Sequence, residues 1–192
     1  MSPAAELPTL LCEDEGAWEA WLERNHASSD GVWLKFAKKR APVRLVSHTL
    51  ALEHALCFGW IDGQVKPLDE HFFLQRFTPR RRQSRWSEIN RGHAERLLDA
   101  GRMRPAGLAQ IDAARADGRW ERAYAPQSAA TVPDDLQRAL DANPEANAFF
   151  KTLRGSNRYA ILYRVNDAKR PETRARRIAQ YVQMCAEHRT LH

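Results

Sequence analysis

Between Arg76 and Asn90 the chain sets Arg80, Arg81, Arg82 and Arg85 just after Pro79, with Ser84 or Ser87 placed to cap a following helix. Guanidinium forks hold phosphate or carboxylate through two parallel hydrogen bonds. A helix N-terminus adds unbonded backbone N–H groups and the positive end of the helix dipole. The stretch therefore points to an anion-binding corner made by Arg80, Arg81, Ser84, Arg85, Trp86, Ser87 and Asn90, with Trp86 placed to stack on a base beside Arg85. The same residues also suit a structural part. The arginines would then be solvated or paired with the acidic N-terminal third, and Trp86 would sit in the core.

Other groups of reactive side chains are sparser. His54 and Cys57 stand three residues apart, with Glu53 four before the thiol, a spacing for a nucleophile and its base or for two metal ligands. His48 and His71 are too loosely placed to complete a ligand set, so no metal and no cofactor is expected, and ordinary packing is the alternative. Asp62, in Trp60-Ile61-Asp62-Gly63, reads as a general base, an arginine's partner or a turn-forming aspartate. Near the C-terminal end, Arg164, Lys169, Arg170, Arg174, Arg176 and Arg177 make a basic block able to grip phosphates, though no helix-turn-helix or RNA-binding signature accompanies it.

Charge is unevenly spread through the 192 residues. Residues 76–104 hold nine arginines against three carboxylates and residues 164–179 six bases against two, whereas residues 1–75 have an excess of four acids. Two basic blocks of this kind favour anionic partners, phosphate-bearing small molecules foremost. Arginine supplies 24 of the 30 bases, a bias that weakens any argument from arginine alone. Cys12, Cys57 and Cys185 are dispersed and odd in number, which reads as reduced thiols. With an acidic rather than basic and apolar start, no export signal is expected and the cytoplasm is the predicted location. No apolar run approaches the roughly 18 residues of a membrane span.

The elements that must position these groups follow from periodicity. Residues 1–12 read as a loose leader, Asp14 as the cap of a helix to about 26, and 32–37 as a strand that 43–46 would extend. Ser47 caps a helix over 48–57, with Gly59 as its left-handed stop. Strands at 60–65, regular or with a bulge at Gly63, and at 71–77 complete an expected antiparallel meander. Helices follow at 87–100, 105–118, 134–142, 144–153, 156–167 and 171–188. Strands first and helices afterwards give an α+β fold: a short antiparallel sheet packed with helices in a domain over 1–124, a linker at 125–133, and a helical lobe over 134–192.

The strings Cys57-Phe58-Gly59-Trp60-Ile61-Asp62-Gly63, Phe77-Thr78-Pro79-Arg80-Arg81 and Ser84-Arg85-Trp86-Ser87-Glu88-Ile89-Asn90, with Ala168-Lys169-Arg170-Pro171-Glu172-Thr173-Arg174-Ala175-Arg176-Arg177-Ile178, resemble the YdeI/OmpD-associated, or bacteriocin-protection, family over about residues 30–190. The resemblance implies a small bacterial protein linked to tolerance of antibacterial peptides. It brings no catalytic set. The expected function is a non-catalytic anion-binding domain in stress or peptide tolerance. The alternative is a small enzyme acting through Asp62, His54 or Cys57 on an anionic substrate clamped by Arg80–Arg85, and nucleic acid is a further, weaker partner.

Overall fold

The computed structural model describes residues 6–192 of the chain. It divides into two units, one ending at Ala123 and one running from Tyr124 to His192. Of the leader expected over 1–12, residues 1–5 lie outside the described residues, and the rest is better ordered in pattern than a leader. Thr9–Leu10 forms a short strand, β1, and Cys12 is buried.

In the first unit Asp14 accepts the Ala17 amide and starts α1 (Glu15–Asn25), whose Trp18 and Leu22 fall one turn apart on the buried side. Strand β2 (Val32–Ala37) alternates buried and half-buried residues, as period two requires of a half-covered sheet. Ser47 caps α2 (His48–Cys57) by accepting the Leu50 amide. After it come β3 (Trp60–Pro67), β4 (Phe72–Pro79), α3 (Glu88–Asp99) and α4 (Pro105–Ala116).

The sheet runs β1-β2-β4-β3, with β2, β4 and β3 antiparallel and β1 added parallel to β2. The expected meander is corrected in its order, because β4 inserts between β2 and β3. Residues 43–46 do not extend the sheet. A bulge interrupts β3 between Asp62 and Val65, so of the two readings of this strand the bulged one holds.

One face of the sheet carries the core. Val32, Leu34 and Phe36 of β2 meet Phe73 and Phe77 of β4, and α1 lays Trp18 against Phe77 with ring centroids 5.4 Å apart. The Trp18 indole N–H donates to the Ala51 carbonyl, joining α1 to α2. Gly59 turns the chain out of α2 at a φ of +75°, where a Cβ would meet the Ala106 carbonyl oxygen at 2.8 Å. Gly107 admits a closer approach still, since a Cβ there would lie 2.3 Å from the Cys57 carbonyl oxygen. These two glycines let α4 cross the C-terminal end of α2 backbone to backbone.

The second unit is helical: α5 (Asp134–Asp141), α6 (Pro144–Thr152), α7 (Gly155–Asp167) and α8 (Pro171–Ala186) surround a core of Leu136, Leu140, Phe150, Ile161, Val165, Tyr181 and Cys185. Asn143 caps α6, and Pro144 and Pro171 occupy first-turn positions, where a missing N–H costs nothing. The architecture is α+β with a helical C-terminal part. Among the described residues no helix is long and apolar enough to cross a membrane.

Candidate functional site

Two arginines, Arg80 and Arg119, fasten the loop between β4 and α3, and a third, Arg91, ties α3 to the segment after α4. Arg80 is buried, its guanidinium lying 3.6 Å from the centre of the Trp86 ring while Nη1 donates to the Arg85 carbonyl at 3.2 Å. Its amide donates to the Gly59 carbonyl, which ties the end of β4 to the turn after α2. From α4's far end Arg119 donates to the Ser84 carbonyl at 2.8 Å, and Arg91 donates to the Trp120 carbonyl. Trp86 is 1 % exposed and meets Trp120 edge to face at 4.8 Å. Its ring belongs to the core and is not an exposed stacking platform.

The two serines are occupied locally. Ser84 Oγ accepts the Arg81 amide, closing a tight turn, and Ser87 Oγ accepts the Asn90 amide, capping α3. Arg81 and Arg82 stand exposed on that turn, and among the described residues no carboxylate pairs with either. Arg85 is half-buried beside them. The corner thus divides into a packed base of Arg80, Trp86 and Ser87 and an exposed tip of Arg81 and Arg82.

His54, Cys57 and Asp62 belong to different contact sets. His54 is buried, its Nδ1 3.6 Å from Glu19 and its Nε2 3.5 Å from an Arg102 nitrogen. Glu53, next to it, takes His93 at 3.1 Å and Arg102 at 3.6 Å, so one ionic network joins α1, α2, α3 and the segment before α4. Burial pushes the Cys57 thiol up to about 11, with Arg102 opposing the rise, and a thiol so protonated is a poor nucleophile at neutral pH. Asp62 faces elsewhere: its Oδ2 lies 3.2 Å from His48 Nε2 and 3.3 Å from Gln75 Nε2. Among the described residues no group of three or more histidine, cysteine or acidic side chains could hold a metal ion.

In the helical unit the C-terminal basic block is partly neutralised. Arg174 donates to Asp135 through Nη2 at 2.8 Å and to the Val165 carbonyl, and this pairing holds the Asp135 carboxyl below its ordinary range. Arg177 donates to the Arg164 carbonyl and lies 3.6 Å from Asp167. Lys169, Arg170 and Arg176 remain exposed. Beside the Asp135–Arg174 pair, α5 and α8 flank an open, mainly apolar groove of about 600 Å³. The Asp135 partner was not legible from residue spacing, because 39 residues separate the two charges.

Residues 10–110, more than half the chain, match the family described as Domain of unknown function (DUF8412), and residues 129–188 match the one described as Bacteriocin-protection, YdeI or OmpD-Associated. The chain belongs to the DUF8412 family and carries a YdeI/OmpD-associated domain over 129–188. No curated protein and no solved structure matches it. The resemblance expected over residues 30–190 therefore narrows. Its C-terminal string, Ala168–Ile178, lies inside the YdeI/OmpD-associated domain, whereas the strings at 57–63, 77–81 and 84–90 lie in the DUF8412 segment. The arginine corner is thus a feature of the DUF8412 segment.

Proposed function

We propose that this DUF8412 and YdeI/OmpD-associated protein is a non-catalytic domain that binds an anionic, phosphate-bearing partner, working in the cytoplasm in tolerance of antibacterial peptides. The supporting observation is the division of the 80–87 loop. Arg81 and Arg82 are exposed without carboxylate partners, on a turn that Arg80, Ser84 and Arg119 hold in place. With the turn's backbone already fixed, phosphate binding costs mainly the rotamer freedom of these two side chains. Arg85, Ser84 and Asn90 flank the tip, while Trp86 and Ser87 support it from below. The tolerance role rests on the name of the family matched over 129–188, and the cytoplasmic location on three buried, free cysteines. An enzymatic reading draws nothing from the geometry, since His54, Cys57 and Asp62 address separate neighbours.

A thermal-shift series with inorganic phosphate, pyrophosphate and nucleoside diphosphates tests this reading, because a ligand that binds only the folded state raises Tm. Saturable stabilisation by at least one, lost in Arg81→Gln/Arg82→Gln with the apo Tm unchanged, is the expected result. No stabilisation by any of the three, or stabilisation that survives the double substitution, overturns it.

A further inference from the structure

The sheet's second face, opposite the core, carries a pattern that shares only Arg76 with the two basic blocks. In register, Trp33 stands across from Arg76, Lys35 across from Leu74, and Leu74 across from Lys66, so three strands set two aromatics among three cations. Lys35 Nζ sits 3.7 Å from the centre of the Phe72 ring, and Lys66 Nζ sits 5.8 Å from that of Trp33. Lys35 reaches diagonally over the aromatic of the neighbouring β4, whereas Lys66 reaches from β3 across β4 toward the Trp33 ring on β2. The helices of this unit direct their aromatic contacts to the other face, where Trp18 meets Phe77 and Trp21 meets Trp60. Leu74 is 5 % exposed yet stands outside the core cluster, which marks this face as a separate apolar patch.

Its charge is unbalanced. Among the described residues, Lys35, Lys66 and Arg76 have no carboxylate within ion-pair distance, and the face itself contributes no acid. In the β3–β4 turn the His71 amide, and after it the Phe72 amide and the charge of Lys35, hold the Asp69 carboxyl below the usual carboxylate range, and its Oδ1 is occupied by those two amides. The Arg76 Nε is buried without a hydrogen-bond partner, against Gly63, where a Cβ would lie 3.6 Å away. The chain has only six lysines, and Lys35, Lys38, Lys39 and Lys66 fall on or beside this one sheet, so the arginine bias does not account for them. Lysine acts as a flexible point charge suited to a backbone phosphate whose position varies.

We propose that this face binds single-stranded nucleic acid, with Trp33 stacking on a base and Lys35, Lys66 and Arg76 meeting the phosphates. Aromatics interleaved with cations on a half-exposed sheet face fit a polymer that alternates flat bases with anionic linkages. A duplex hides its bases and leaves Trp33 nothing to stack on; an anionic lipid surface would also take a tryptophan and lysines, and the vesicle arm of the test separates it from a single strand. The proposal does not rest on the Arg81–Arg82 tip, which lies in a different loop.

The test is fluorescence anisotropy with a fluorescein-labelled fifteen-nucleotide oligo-dT and the matching oligo-U, over a salt series, against a duplex and anionic vesicles of phosphatidylglycerol. Single strands are expected to bind more tightly than the duplex, with Trp33→Ala weakening them roughly tenfold and Trp33→Phe restoring most of the loss. Lys35→Gln/Lys66→Gln should lower the slope of log affinity on log salt by about 1.4, at about 0.7 for each phosphate contact on a single strand. Arg81→Gln/Arg82→Gln should leave the binding as it was. Equal affinity for duplex or vesicles, indifference to Trp33→Phe and Trp33→Ala alike, or no binding at low salt overturns the proposal.

Discussion

Arg80 and Arg81 are neighbours of the same type in opposite surroundings. The first is packed on Trp86 and bonded to the Arg85 carbonyl, and the second projects into solvent from a turn closed by Ser84. A buried guanidinium stacked on indole and hydrogen-bonded to a carbonyl contributes about 2–3 kcal/mol, so Arg80→Gln should lower unfolding free energy by about that amount in urea titrations. Trp86→Ala should cost about 3–5 kcal/mol by the same measurement, because it removes a whole ring from the core. Arg81→Gln should stay within about 0.5 kcal/mol of the parent, as solvent-facing substitutions do. Residue types and spacing showed that an arginine-rich turn leads into α3. They could not show which arginines face inward, since that depends on Arg119 and Trp120 arriving from more than thirty residues away.

At the scale of elements, capping and periodicity were legible. Asp14, Ser47 and Ser87 each accept the amide that local sequence assigns them, and those helices begin where the caps stand. The strand order was not legible, because pairing β4 between β2 and β3 is a long-range choice made by the core. Phe73 and Phe77 complete the β2 face with Phe36, and a meander order would separate them. Strand β1 escaped notice because a two-residue strand has no period. The Asp135–Arg174 bridge joins α5 to α8 and gives the helical unit an acid-sensitive clamp. Its carboxyl is held below the unfolded value, so its contribution is fully present above about pH 4 and declines as pH falls through the lower folded value. Asp135→Asn should reduce stability at neutral pH and flatten the acid arm of a stability-against-pH curve. An unchanged acid arm would show that other carboxylates govern it.

Over the whole molecule, two core clusters share no residue. Trp18, Phe36, Phe77 and Trp86 belong to one, and Leu140, Phe150, Ile161 and Tyr181 to the other. Separate cores license separate unfolding, so Phe150→Ala should lower the midpoint of one calorimetric transition by several degrees and leave the other in place. A single transition that shifts as one would show the cores to be coupled. The family matches follow the same division, with 10–110 in the first unit and 129–188 in the second. Charge arithmetic identified a basic segment at 76–104, but its nine arginines are divided among tasks: Arg80, Arg91, Arg102 and Arg104 hold elements together, and Arg81 and Arg82 face water. The account of function stands on that exposed pair. Its most direct test is a titration of the isotope-labelled protein with pyrophosphate, followed by backbone amide shifts across residues 79–90. Saturable movement centred on Arg81, Arg82 and Ser84, abolished by Arg81→Gln/Arg82→Gln, is the predicted outcome. Amides that stay still, or move equally across every basic surface and vanish at physiological salt, would contradict it.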